Sequence, residues 1–247
     1  MTAIARLCLI LALAAAPAAG AMDFRVAGRE LHLSGRVAGD ELAMLKDVEA
    51  AHPGAIDTVV FRNSPGGDAW SGYRVGERIR DHGWRTVVIG GCVSACTLMF
   101  LGGRSRHFGA ATRPERVFLA FHGPSSGNFL DNHAVNPRGR PEIRRWILER
   151  TGGKADAALL ERFVNNEKRA DLMRFYDPRQ LARSDGVSAL FCPAAGRNAA
   201  NPFDACEKIA GHDAYSMGFI TSDERIRVTP PGRLPPPFRQ TLPEAPK

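Results

Sequence analysis

Beyond residues 1–21, the chain has no apolar run long enough to cross a bilayer, which excludes an integral membrane segment there. It has no internal repeat, which excludes solenoid and propeller architectures. It has no C-x-x-C pair. Cys92 and Cys96 stand as C-x-x-x-C, which excludes a thioredoxin-like redox centre. Those two cysteines also lack a second pair at ligand spacing or a nearby histidine set, so neither a metal nor another cofactor is expected. Basic charge is in excess, with 33 Lys and Arg against 26 Asp and Glu, but it is not concentrated. Small clusters such as Arg138, Arg140, Arg144 and Arg145 read as a solvated basic surface, not as a nucleic-acid site.

What is present begins with a targeting pattern. Residues 1–21 carry one charge, Arg6, then the apolar core LCLILALAAAPAA, then the small residues Ala19, Gly20 and Ala21. That order is the pattern of a secretory signal peptide. A retained membrane anchor is the alternative. The apolar run at residues 7–19 is short and Ala-rich for a spanning helix, so cleavage near Ala21 and a periplasmic or secreted chain are expected. Cleavage removes Arg6 and Cys8, leaving 32 Lys and Arg against 26 Asp and Glu. An exported chain rarely meets nucleic acid; anionic lipid or cell-wall polymer is the weaker remaining option for its positive surface.

Four cysteines then remain, and an even count in an exported chain favours disulfides. Cys192 and Cys206 bracket the polar loop PAAGRNAANPFDA and form the natural first pair. Cys92 and Cys96 are then left for each other, feasible across a turn but strained if both are helical. Cross-pairing between the two sets stays open.

Periodicity alternates strands with helices. ELHLSGRVAGD alternates as a strand, and ELAMLKDVEAAHPG has helical spacing. AIDTVVF reads as a buried strand ending in a turn at RNSPGGD. AWSGYRVGERIRDHG reads as a helix, RTVVIGG as a strand, SACTLMFLGG as a helix start and RVFLAFHGP as a strand. PEIRRWILERTGG and KADAALLERFVNNEKRA are expected helices, and DPRQLARSDGV a short one. The pattern predicts parallel βαβ units and an α/β domain over residues 22–228. The Pro-rich residues 229–247 read as an extended or disordered tail.

Chemistry gathers at three strand ends. NSPGGD carries Gly66 and Gly67, GGCVSAC carries Ser94, and FHGP carries His122. Ligand sites of open α/β sheets lie beyond the carboxyl ends of the strands. Glycines let amides approach a ligand closely, and amides at a helix start favour an oxyanion. A serine there needs a base, and histidine is the commonest. Each residue also has a plainer reading: Ser94 as an N-cap, His122 as a turn histidine, Gly66 and Gly67 as turn glycines.

Taken in order, NSPGGD, GGCVSACTLMFLGG and VFLAFHGP resemble the Clp protease proteolytic subunit and its relatives in the ClpP/crotonase superfamily. The resemblance covers roughly residues 56–187 and looks closest to an exported, periplasmic branch. It implies an α/β ββα superhelix with a parallel sheet and flanking helices. It implies Ser94 as nucleophile, His122 as base, and the Gly67 and Ala95 amides as the oxyanion hole. It also implies self-association, since such chains commonly form trimer-based or ring oligomers. The segment FCPAAGRNAANPFDAC is an addition to the basic pattern that could block or remake such contacts.

One position departs from the family. Its third catalytic residue is an Asp, and the alignment places Met173 there. Asp171 stands two residues earlier and is the expected acid. Asp177 is expected to cap the helix at Pro178. A dyad of Ser94 and His122, oriented by a backbone carbonyl or a water, is the alternative. The implied function is an exported serine hydrolase, a peptidase acting on peptide or protein. The rival is a catalytically degraded binding or assembly module. Crotonase-type acyl-CoA chemistry shares the oxyanion logic, but CoA is cytosolic.

Overall fold

The computed structural model describes residues 21–110, 113–123, 140–166, 171–181, 185–194 and 202–238. The expected signal segment, apart from Ala21, lies outside the described residues. So do residues 195–201 of the cysteine-bracketed loop and residues 239–247 of the tail.

An antiparallel hairpin opens the fold. β1 (Asp23–Ala27) pairs with β2 (Glu30–Val37), with Phe24 opposite Leu33. The helix α1 (Glu41–Ala51) returns the chain so that β3 (Thr58–Gly67) runs parallel to β2. α2 (Ala69–Asp81) leads to β4 (Arg85–Val88), also parallel to β3. β5 (Gly91–Val93), α3 (Ala95–Leu101), β6 (Arg106–Phe108) and β7 (Phe118–Phe121) follow. After α4 (Arg140–Arg150) and α5 (Ala157–Val164) come β8 (Leu172–Tyr176), β9 (Ala189–Cys192), α6 (Pro202–Ala205) and β10 (Glu207–Lys208). Together the described strands form a ten-stranded mixed sheet with a parallel centre.

β3 organises that sheet. Its first half pairs with β4, from Thr58↔Arg85 to Phe61↔Val88, and β6 extends that branch. Its second half pairs with β5 at Ser64↔Cys92, and β5 pairs with β7. The change of partner falls at Asn63, a non-glycine residue with φ of 45°. Asparagine tolerates that left-handed backbone because its amide bonds locally. Its Oδ1 accepts from the Gly91 N–H at 3.2 Å, joining the bend to the strand it recruits.

Every residue of α3 is buried. Such a helix needs its neighbour close, and α2 supplies two glycines for this. A Cβ on Gly72 would stand 2.5 Å from the Ala95 carbonyl, and one on Gly76 would stand 2.4 Å from the Leu98 carbonyl. The same face of α2 buries Val75 and Ile79 with Phe61 and Phe100 in the main core.

Several expectations change. NSPGG is not a turn after the strand: it is the second half of β3, because Gly66 and Gly67 pair with Arg36 and Val37, and Asp68 then caps α2. The sheet is parallel only at its centre. β7 to β10 pair antiparallel, with β8 taking up LMRFY, which the pattern had not marked as a strand. The described part of DPRQLARSDGV forms a turn, not a helix. Asp177 accepts from the Arg179 N–H at 2.9 Å within that turn and is itself buried.

Residues 229–238 make one 3-10 turn at Pro231–Arg233, carry no strand, and are docked on the hairpin. The Thr229 N–H donates to Glu30 at 2.9 Å, Arg25 donates to the Pro235 carbonyl at 2.9 Å, and the Phe238 N–H donates to the Phe24 carbonyl at 2.6 Å. A buried histidine joins this strap to the sheet. Arg62 Nε donates to His32 Nδ1 at 2.9 Å, so His32 carries its proton on Nε2 and donates to Glu30 at 2.8 Å. Arg62 also donates to the Thr229 carbonyl. Burial first, and the Arg62 charge with it, holds the His32 pKa below its ordinary value despite the opposing pull of Glu30.

A depressed histidine pKa in the folded state means that the unfolded chain binds the proton first. Stability from this network is therefore present above about pH 6.5 and is lost as pH falls through the folded value. On acidification from neutral pH to about pH 5, His32→Gln is expected to lose about 2 to 4 °C less in melting temperature than the wild type. Calorimetry at the two pH values checks this; an equal loss in both proteins would contradict it.

Candidate active site

β3, β5 and β7 are neighbours and parallel, so their carboxyl ends open on one edge of the sheet. That edge brings together the Gly66–Gly67 pair, Ser94 and His122. Val93 stands opposite Ala120, and the Ser94 N–H continues the ladder by donating to the Ala120 carbonyl at 2.9 Å. His122 follows two residues later.

Ser94 turns the chain from β5 into α3 with φ of 57° and ψ of −121°. An L-residue pays strain for such a backbone, and strain of this kind gathers at functional sites. The N-cap role does not explain it, since the Ser94 side chain makes no cap hydrogen bond. The first turn is satisfied another way: Thr97 donates to the Ser94 carbonyl through its N–H at 2.8 Å and its Oγ1 at 2.6 Å. The Ser94 hydroxyl is thereby left out of the helix start.

Two features hold the elbow. Cys92 in the middle of β5 and Cys96 in α3 form a disulfide across it, with Cα atoms 5.3 Å apart and both residues fully buried. Gly66, at φ of 79°, lies against its back. A Cβ there would stand 2.4 Å from the Val93 carbonyl, 2.8 Å from Ser94 Cβ and 3.0 Å from the Ala95 N atom. This contact puts the Gly66–Gly67 backbone beside the Ala95 amide. As the first residue of α3, Ala95 has an N–H without an intrahelical acceptor. The Asp68 N–H donates to the Val37 carbonyl of β2 at 3.0 Å.

Ser94, His122 and Gly123 line one narrow pocket with Ala69, Leu98, Phe121, Ile143 and Phe163. No hydrogen bond among the described residues joins Ser94 to His122. His122 is half-buried, and its Nδ1 lies 2.6 Å from the Gly123 carbonyl. A carbonyl only accepts, so Nδ1 carries a proton, and in the neutral ring Nε2 is the basic nitrogen. Gly123 fits because a Cβ there would stand 2.3 Å from the Val164 carbonyl of α5. The residue pattern around His122 carries no mark of this partner, since any residue offers a backbone carbonyl.

Asp171 is buried, and among the described residues no hydrogen bond joins it to His122. Its Oδ1 accepts from the Ala194 N–H at 3.0 Å, just beyond β9. Met173, at the position aligned with the family's Asp, pairs with Phe121 and is buried in the core. Cys192 and Cys206 form the second disulfide, with Cα atoms 4.5 Å apart, so the cysteines pair as their spacing favoured. Among the described residues, no group of His, Cys, Asp and Glu is placed to hold a metal, and no helix is long and apolar enough to cross a membrane.

No family model matches the chain, and no curated protein matches it. Among solved structures, it is similar to ClpP1 from Listeria monocytogenes, at 17% identity over 56% of this chain and 79% of that one, with a TM-score of 0.44. It is also similar to a membrane-bound stomatin-specific protease, at 13% identity over 54% of this chain and 67% of that one, with a TM-score of 0.39.

Proposed function

We propose that this chain is an exported serine hydrolase, a peptidase, working through a Ser94–His122 dyad. The observation that carries this reading is the Ser94 elbow: a strained serine, left out of helix capping, lining one pocket with a histidine of fixed tautomer. His122 Nε2 takes the proton from Ser94 Oγ as the oxygen attacks the substrate carbonyl. The Gly67 and Ala95 N–H groups stabilise the resulting oxyanion. His122 then protonates the leaving amine, and water releases the acyl group by the reverse sequence. The Gly123 carbonyl holds Nδ1–H throughout, in the place where an acid would stand in a triad. Hydrogen bonds between nucleophile and base commonly close only when substrate binds, which accommodates their separation here.

Two disulfides suit an oxidising compartment, in keeping with the expected secretory signal. Self-association belongs to the same reading, by the family resemblance. A fluorophosphonate probe tests the core of the proposal. The wild type is expected to be labelled and Ser94→Ala to lose all labelling. Equal labelling of the two would remove Ser94 as an activated nucleophile and leave the binding-module reading in its place.

A further inference from the structure

Among the described residues, Trp70 is the sole large apolar side chain left exposed, at 62%. It stands in the first turn of α2, directly after Ala69, which lines the pocket of Ser94 and His122. Trp70 is not loose. Its ring stacks on Tyr73 at 5.5 Å and 20°, and Tyr73 meets Trp146 edge-on at 5.1 Å. Trp146 is buried and donates to the Leu98 carbonyl at 3.1 Å. Leu98 lines the same pocket, as does Ile143, one helical turn before Trp146 on α4. A continuous aromatic ladder therefore runs from behind the nucleophile helix to the surface beside the pocket.

An aromatic ring held in place by stacking binds an apolar partner with little further loss of freedom. Trp70 has one face against Tyr73, with the Arg74 guanidinium 6.0 Å from its ring centroid, and it directly follows the pocket-lining Ala69 in α2. We infer that Trp70, stacked on Tyr73, is a specificity-determining shelf. It takes an apolar or aromatic side chain of the polypeptide substrate, next to the residue whose carbonyl is attacked. The inference rests on the serine-hydrolase reading and adds the substrate class to it.

The test uses covalent inactivation of the full chain by two kinds of probe. One is a simple alkyl fluorophosphonate. The other is a pair of peptidyl phosphonates that differ only in the residue flanking the reacting one, Phe in one and Gly in the other. The wild type is expected to react about tenfold faster with the Phe probe than with the Gly probe. In Trp70→Ala the ratio is expected to fall to near one, and in Trp70→Phe most of it should remain. The alkyl probe should react alike with all three proteins. A ratio unchanged by Trp70→Ala, or near one in the wild type, would overturn the shelf while leaving the nucleophile intact. So would a Trp70→Ala protein that dissociates into smaller oligomers and loses reactivity to every probe together, because Trp70 would then belong to an interface with a second copy. A wild type inert to the alkyl probe would overturn the hydrolase reading, and the shelf with it.

Discussion

Replacing His122 with alanine is expected to slow phosphonylation of Ser94, and any peptide hydrolysis, by about 10²- to 10⁴-fold. Serine is a weak nucleophile until a base removes its proton, and His122 is the basic side chain that shares its pocket. The companion variant decides between dyad and triad. Asp171→Ala is expected to leave the rate within about threefold, because the Asp171 carboxylate serves the Ala194 N–H while the Gly123 carbonyl holds His122 Nδ1. Its cost should appear in stability instead, at about 0.5 to 1.5 kcal/mol for the lost hydrogen bond to the Ala194 N–H. Probe labelling rates and denaturant melts on the two variants separate these effects. If Asp171→Ala lost as much rate as His122→Ala, the acid would act on His122 after all and the dyad would be wrong.

The second large effect is expected from one methyl group. Gly66→Ala should cost at least about 3 kcal/mol of stability and lower Ser94 labelling by more than about 100-fold. At φ of 79° any L-residue carries strain of about 1 to 2 kcal/mol. Steric contact costs more than that strain, since the new Cβ would meet the Val93 carbonyl, Ser94 Cβ and the Ala95 N atom. None of these can yield cheaply: Val93 is paired in the sheet, and the Cys92–Cys96 disulfide spans the turn. The elbow and the oxyanion amides would have to separate. Gly54→Ala is the control. It has a similar φ of 65° with nothing within 4 Å of the new atom, so it should cost about 1 kcal/mol and leave labelling unchanged. Equal labelling in the two variants would show that contact at Gly66 does not set the elbow.

Much of the site was legible along the chain. Ser94 after a glycine pair, His122 before a glycine and the Gly66–Gly67 pair each stand at a strand end, where local pattern is strong. The β2, α1, β3, α2 and β4 series was readable for the same reason, since period and turn residues are local properties. Asp177 shows where that reading stops. An Asp before Pro looks like a helix cap, yet here it is a buried acceptor inside a turn. β8 was hidden because LMRFY is short and apolar, a pattern that helix and strand share. Its placement beside β7 carries Asp171 to Ala194 and puts Met173 opposite Phe121.

Composition and local pattern thus named the residue types at the three strand ends and favoured, without fixing, the two cysteine pairs, because turns, caps and short-range bridges depend on near neighbours. Only the tertiary structure decided that β3 leaves β4 for β5 at Asn63, that Gly66 backs the Ser94 elbow, and that the Gly123 carbonyl stands at His122 Nδ1. Those outcomes follow from contacts between distant segments. Strand order and register are settled by which faces bury together, and no local window of the chain contains that information.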